Sequence, residues 1–219
     1  MTAPTNEQEL LLRARALEHS TVGQLAHALN VNIGNDPLRT KGSIGQLVEL
    51  ALGATAGNLS IPDFPELGIE LKTIPIGPTG QPKESTHVCT ATLLPEPGFG
   101  FHDSCVSHKL ARVLWLPVAS STGGAFADRQ FGRAQLWSPN ENQWRALRDD
   151  WEEIHELICQ GQIQSITARH GEALQLRPKG ANARSTVMAI GPQGRPIRTN
   201  PRAFYLRPKF TATLLSEEH

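Results

Sequence analysis

The chain has 219 residues, enough to bury the core of one domain or of two joined lobes. Its 21 lysines and arginines balance its 21 aspartates and glutamates, so net charge alone indicates no particular partner. Three cysteines without a CxxC pair predict free thiols in a reducing compartment. No signal-peptide pattern and no apolar run of membrane-spanning length occurs, so we expect a cytoplasmic protein.

The first 53 residues predict three helices. Two of them begin at capping-box spacings, Asn6 with Glu9 and Thr21 with Gln24. The third runs from Ser43 to Gly53, and Glu49 falls beside its apolar face. Glu49 is therefore either a surface residue or a further acid at the rim of an active site. Lys41, just before this helix, either contacts a phosphate or is simply solvated.

The stretch from Pro62 to Lys72 carries the clearest chemical pattern. Apolar residues alternate from Leu67 to Thr73, which predicts a half-buried strand with Glu70 and Lys72 together on its other face. Asp63 precedes this strand in a turn. Two carboxylates and a lysine can hold a divalent cation and a cationic group beside one phosphate. The same spacing is also found by chance, and Glu and Lys on one strand face are typical of a solvated edge.

The middle of the chain predicts two further strands. Residues 86–93 are rich in β-branched residues and follow a turn, so we expect them to form a hairpin with the strand of Glu70. Residues 112–118 are nearly all apolar, as in a strand covered on both faces. Lys109 lies just before that strand and could project toward the same rim as Glu70. His102, Cys105 and His108 have zinc-like spacing but lack an evident fourth ligand, so packing roles are also open.

The last third differs in charge. A helix is predicted over 138–160, with Ser138 as its cap and an acidic outer face. Residues 161–219 then hold nine bases against three acids, which suits a surface that faces phosphates. Strands are predicted over 173–177 and 203–206. Between them, residues 178–184 form a loop with bases and an amide, the side chains that read guanine and adenine edges.

Two resemblances connect these observations. Pro62-Asp63 followed by Glu70-Leu71-Lys72 resembles the PD-(D/E)xK nuclease signature. Over nearly its whole length the chain also resembles the MutH family of methyl-directed mismatch-repair endonucleases. The matching stretches include Lys41-Gly42-Ser43-Ile44-Gly45, Gly68-Ile69-Glu70-Leu71-Lys72-Thr73-Ile74-Pro75, His108-Lys109-Leu110, Leu136-Trp137-Ser138-Pro139-Asn140-Glu141, Arg177-Pro178-Lys179 and Phe204-Tyr205-Leu206.

The family resemblance implies a fold and an activity. The fold is α/β (α+β), a restriction-endonuclease-like mixed β-sheet flanked by helices, with a catalytic lobe (1–135) and a DNA-reading lobe (136–219) around a DNA-binding cleft. The activity is nicking of the unmethylated strand, 5′ of the G, at hemimethylated GATC sites in double-stranded DNA. The implied cofactor is Mg²⁺, with Mn²⁺ able to substitute. The implied state is a monomer activated by MutL, acting with MutS.

The resemblance also assigns residues. Asp63, Glu70 and the carbonyl of Leu71 match metal ligands, Lys72 matches the catalytic lysine, and Glu49 and Lys109 match further groups near the site. Residues matched to DNA contacts, together with basic neighbours expected to join them, are Lys41, His87, Arg177, Pro178, Lys179, Arg184, Tyr205 and Arg207. Tyr205 matches the residue that senses adenine methylation. His87 departs from the family, where phenylalanine is expected, which makes this contact less apolar and partly titratable.

Two other functions fit the same residues less well. A GATC restriction endonuclease of this fold would cut both strands, but such enzymes are typically longer or dimeric. A non-catalytic DNA-binding module would use the basic third alone, and the intact set of Asp63, Glu70 and Lys72 argues against it.

Overall fold

The structure is a computed structural model that describes residues 2–33, 43–57, 59–119, 124–179 and 185–216. Within these ranges the helices are α1 (Glu7–Arg15), α2 (Val22–Ala28), α3 (Ser43–Leu52), α4 (Cys105–Leu110), α5 (Glu141–Cys159) and α6 (Pro208–Ser216). The strands are β1 (Glu70–Ile76), β2 (Thr86–Thr90), β3 (Val113–Ala119), β4 (Gln130–Phe131), β5 (Gln135–Trp137), β6 (Leu174–Pro178), β7 (Val187–Ile190), β8 (Pro196–Thr199) and β9 (Arg202–Leu206).

The opening helices form as their capping residues predict. The side chain of Asn6 accepts a hydrogen bond from the backbone N–H of Glu9 at 2.9 Å, and Thr21 and Gln24 make both bonds of a capping box. The third helix buries the apolar stripe that the sequence predicts, at Leu47, Val48, Ala51 and Leu52. These helices cover one face of the first sheet, where Leu71, Leu114 and Leu116 meet them in one core cluster.

The first sheet is mixed. β1 and β3 run parallel, whereas β4 and β5 pair antiparallel with the other edge of β3. The residues from Val113 to Leu116 are fully buried, which confirms that the strand predicted over 112–118 is covered on both faces. β1 therefore lies at an edge of this sheet, with β3 as its neighbour.

Two strand predictions were wrong. The first strand begins at Glu70 rather than Leu67, because Pro65–Leu67 form a 3₁₀ turn that Gly68 closes. The strand that begins at Thr86 does not form a hairpin with β1. It pairs antiparallel with β9, in a second sheet of order β2-β9-β6, because β1 takes β3 as its partner through a parallel crossover.

The predicted long helix is present with a different cap. Asn140, not Ser138, is the N-cap of α5, and it forms a capping box with Gln143. The Ser138 hydroxyl instead donates to the carbonyl of Ala111 at 2.7 Å. The β7–β8 hairpin and α6 had no counterpart in the sequence expectations.

The chain divides into two compact units that interleave in sequence. The first contains 1–84, 111–138 and 214–219, and the second contains 85–110 and 139–213. The predicted α/β class, with a mixed sheet and flanking helices, is confirmed. The assignment of catalytic and reading roles to the ranges 1–135 and 136–219, and the cleft between them, stay predictions. None of the described helices combines the length and the apolar character that crossing a membrane requires.

Candidate active site

A tight reversal of the chain brings Asp63 to the start of β1. The backbones of Phe64 and Ile69 bond to each other in both directions, with N···O distances of 2.9 and 3.2 Å. Between them, the 3₁₀ turn ends at Gly68, whose φ of 65° lies in the left-handed region that glycine adopts readily. The six residues that lie between the two carboxylates in sequence are thereby folded back on themselves.

This reversal connects the Asp63 carboxylate directly to the strand. Asp63 Oδ2 accepts a hydrogen bond from the backbone N–H of Leu71 at 2.8 Å. The N–H of Glu70 donates to the Arg112 carbonyl beside β3, at 3.0 Å, so the next residue, Leu71, directs its backbone groups away from β3. The Leu71 carbonyl therefore leaves the strand on the same side as Asp63, as a backbone metal ligand would require.

Glu70 and Lys72 form an ion pair between Glu70 Oε1 and Lys72 Nζ. Glu70 is only 2% exposed. A carboxylate at this depth is stable only with a charged or hydrogen-bonding partner, because the loss of hydration is unfavourable by several kcal/mol. The predicted placement of the two side chains on one face of the strand is thus observed, and the alternative of a solvated edge does not hold for Glu70.

The chemistry of the donors fits a magnesium ion. Asp63, Glu70 and the Leu71 carbonyl offer only oxygen atoms, which Mg²⁺ and Mn²⁺ prefer, and a cationic ammonium already sits against the Glu70 carboxylate. Across the described ranges, no three histidine, cysteine or acidic side chains converge as a metal site would need. A metal at β1 therefore relies on two carboxylates, backbone oxygen and water.

Glu49 and Lys109, the two further groups predicted near the active site, lie on different elements from Asp63, Glu70 and Lys72. The Glu49 carboxylate and the Thr73 hydroxyl of β1 both lie beside Gly45, at 3.8 and 3.9 Å from the point where a Cβ on this glycine would stand. Glu49 is not part of a three-acid group with Asp63 and Glu70. Lys109 belongs to α4 in the second unit, and its proposed catalytic role stays a prediction. His102, Cys105 and His108 do not form a metal-binding group in the described chain.

Four predicted DNA-contacting residues come together on the second sheet. Tyr205 on the central strand β9 pairs in register with His87 on β2 and with Gln175 on β6. Arg177 and Lys179 follow Gln175 at intervals of two, which places them on the same face. We call His87, Arg177, Lys179 and Tyr205 the reading surface.

The side chains of the reading surface contact one another. The His87 and Tyr205 rings meet edge to face, with centroids 5.3 Å apart, and the Arg177 guanidinium carbon lies 5.5 Å from the Tyr205 ring centroid. Lys179 Nζ lies 2.7 Å from His87 Nε2. Arg177, Pro178 and Lys179 are exposed, whereas the rings of His87 and Tyr205 that they contact or adjoin are half-buried.

Two contacts that support this surface were missed by the sequence analysis. Gln175 is buried and donates to the Ser85 hydroxyl at 2.7 Å, which joins β6 to the residue before β2. Gln175 lies two positions before Arg177 on the same strand, so the alternation of side chains could have placed both on one face. The Lys179 backbone N–H donates to the Pro201 carbonyl at 2.7 Å and holds the end of β6 beside the start of β9.

Asp150, one of the acids of α5, does not lie on the acidic outer face that the sequence predicts for this helix. It is buried, and its carboxylate accepts hydrogen bonds from the backbone N–H groups of Glu172, Ala173 and Leu174, at 2.7 to 3.0 Å. The helical spacing of Asp150 between Leu147 and Ile154 was a signal for burial. Asp150 thus fixes the point where β6 begins.

The remaining residues predicted to contact DNA are Arg207, Lys41 and Arg184. The Arg207 guanidinium donates to the carbonyls of Ala168 and His170, so it braces the loop before β6, and these bonds favour a positioning role. Lys41 and Arg184 lie outside the described residues.

Comparisons with known proteins found a matching family and several similar proteins. A family described as "DNA mismatch repair enzyme MutH" matches residues 52–150, a range that includes Asp63, Glu70 and Lys72. The "DNA mismatch repair protein MutH" of Yersinia enterocolitica is 50% identical over 97% of this chain and 93% of its own length. The proteins of the same name from Serratia proteamaculans, at 51% identity, and Pectobacterium atrosepticum, at 50%, cover 97% and 98% of this chain.

Proposed function

Because this chain belongs to the MutH family of DNA mismatch-repair endonucleases, we propose that it nicks the unmethylated strand 5′ of the G at hemimethylated GATC sites. The observation that carries the site assignment is the reversal at Gly68, which sets Asp63 against Leu71 beside the buried pair of Glu70 and Lys72. This arrangement supports hydrolysis of a phosphodiester, because it collects anionic oxygen ligands and an ammonium at one edge of a rigid sheet.

The proposed metal ligands are Asp63, Glu70 and the Leu71 carbonyl. Mg²⁺ bound there supplies Lewis-acid polarisation of the attacked phosphate and favours ionisation of water. Asp63 does not swing freely, because the Leu71 N–H holds one of its oxygens, so the ligand is positioned before the metal arrives.

Lys72 would stabilise the negative charge that develops on the phosphate. An ammonium has donors and no acceptor, so in its charged form Lys72 donates hydrogen bonds to a phosphate oxygen or orients the attacking water. Glu70 holds this ammonium in place in the structure. The expected products carry a 5′-phosphate and a 3′-hydroxyl.

The reading surface would supply sequence and methylation recognition. Lys179 and Pro178 would meet bases in the major groove, Arg177 would add a cationic contact, and Tyr205 would sense the adenine methyl group through its half-buried ring. The edge-to-face contact with His87 and the guanidinium of Arg177 fix the plane of that ring, which steric sensing requires.

We further propose that the protein acts in the cytoplasm as a monomer that MutL activates after MutS finds a mismatch. The mismatch-repair family supports this assignment of partners.

A strand-resolved cleavage assay tests the proposal. It uses duplexes with one GATC site, unmethylated, hemimethylated or fully methylated, with Mg²⁺ and with or without MutL. We expect nicks in unmethylated strands only, stimulated by MutL. Cutting of both strands independently of MutL would assign a restriction activity instead, and binding without cleavage under all conditions would leave only a DNA-binding module.

A further inference from the structure

The contact between Lys179 and His87 joins a cation proposed to read DNA to the one titratable side chain on that surface that changes charge near neutral pH. An ammonium can only donate, so the 2.7 Å contact requires His87 Nε2 to accept and its proton to sit on Nδ1. His87 is therefore neutral when it holds Lys179.

We propose that His87 is a positioning residue, which orients the Lys179 ammonium for base recognition and releases it when the imidazole is protonated. This inference rests on the proposed function of the reading surface. It gives the chain a pH-dependent specificity that a phenylalanine at position 87 could not provide, because a phenyl ring neither accepts this bond nor titrates.

The second sheet holds both partners of the contact between His87 and Lys179. The His87 ring stands edge to face against Tyr205 on β9, the strand between β2 and β6, and a bulge in β2 follows it before Cys89. The Lys179 backbone is fixed by the Pro201 carbonyl. Both ends of the contact are held, and the flexible lysine stem between them is the part that a hydrogen bond can order.

Protonation of His87 would act in two ways. It would remove the acceptor at Nε2, and it would place a second positive charge next to the ammonium. The groups around this contact in the described chain are Lys179 and Arg177 from β6 and Tyr205 from β9, and α4, which also packs on β2, carries Cys105, His108 and Lys109. The extra charge attracts any phosphate backbone, so overall affinity is maintained while the preference for GATC falls.

The test measures the ratio of dissociation constants for a GATC duplex and a scrambled duplex of equal composition, without divalent metal, from about pH 5.5 to about pH 8.5. For the natural chain we expect the preference for GATC to fall about fivefold or more at the acidic end. His87→Gln retains an acceptor that does not titrate, so it should keep the high preference at every pH. His87→Phe has no acceptor and should show a low preference that does not vary with pH.

Further variants test whether His87 acts through Lys179 and whether another histidine causes the pH dependence. Lys179→Met should also give a low, pH-independent preference, and adding His87→Gln to it should change nothing further. His27→Gln, which replaces an exposed histidine on α2 in the other unit, should follow the natural chain.

Two results would overturn the inference. If the natural chain prefers GATC equally at both ends of the range, or if His87→Gln and His87→Phe keep its pH dependence, His87 does not control Lys179, although the proposed function stands. If no GATC preference is found at any pH, the proposed function fails as well.

Discussion

Asp63 Oδ2 and the backbone N–H of Leu71 are joined by a hydrogen bond of 2.8 Å, so one carboxylate both orders the loop before β1 and faces the proposed metal position. These two roles can be separated, because an amide oxygen can accept the same bond without carrying charge. The effect of position 63 on nicking and its effect on the stability of the loop can therefore be measured separately.

Asp63→Asn should keep the loop folded and abolish nicking. Because the hydrogen bond to Leu71 can persist, we expect the free energy of unfolding to stay within about 1 kcal/mol of the natural value. Asp63→Ala should lose nicking and also about 1–3 kcal/mol of stability, because the Leu71 N–H loses its acceptor. Denaturant titrations and single-turnover nicking check both. Glu66→Gln, which removes a charge from the exposed part of the same loop, should leave nicking intact.

Lys72→Ala should reduce the single-turnover rate of nicking by about 100- to 1,000-fold, the typical loss when one electrostatic stabiliser is removed. Binding to GATC should change little, since Lys72 is largely covered within its own unit and pairs with Glu70. Lys83→Ala is a matched control, because Lys83 is exposed just beyond β1. Normal nicking by the Lys72 variant would remove this residue from the mechanism.

Tyr205→Ala should weaken the discrimination between methylated and unmethylated strands. A single methyl contact contributes about 1–3 kcal/mol, so the preference should fall by about tenfold or more. Tyr205→Phe keeps the ring that contacts His87 and Arg177, and should retain most of the preference. The assay is competitive nicking of hemimethylated and fully methylated duplexes, and an unchanged preference in the alanine variant would contradict the sensing role.

Asp150→Ala should destabilise the protein by about 3 kcal/mol, because three backbone N–H groups at the start of β6 lose a buried charged acceptor. Its neighbour Asp149 is exposed and pairs with Arg148 at the surface, so Asp149→Ala should change stability by less than about 0.5 kcal/mol. Urea unfolding compares the two. Similar losses in both variants would show that the contacts of Asp150 with β6 contribute little.

The sequence predicted the placement of Glu70 and Lys72 in the candidate active site but not all of their surroundings. Asp63, Glu70 and Lys72 lie close in the chain, and strand alternation was enough to place Glu70 and Lys72 together. The start of β1 was misjudged because Leu67 matches the strand period, while the turn from Pro65 to Gly68 overrides it. The cap of α5 was assigned to Ser138 because Pro139 follows it, yet Asn140 has the Gln143 partner that completes the box.

Contacts between distant parts of the chain were beyond local patterns. His87 and Lys179 are 92 residues apart, and their contact depends on β2 and β6 both flanking β9. The expected hairpin of β2 with β1 would have carried His87 to the wrong sheet. The burial of Asp150 could not be predicted from its charge, because its partners are the backbone N–H groups of Glu172, Ala173 and Leu174, more than 20 residues away in the chain.

The chain order of the two units has a consequence for biosynthesis. Leu214, fully buried in α6, belongs to the first unit, and its carbonyl accepts a hydrogen bond from the Gln135 side chain at 3.3 Å. During translation the unit that carries Asp63, Glu70 and Lys72 therefore lacks part of its packing until Leu214 has left the ribosome. A nascent chain that ends at residue 138 holds every proposed metal ligand but not the complete first unit. Because β6 and β9 precede Leu214 in the chain, the first unit is completed only after these strands of the reading surface have been made.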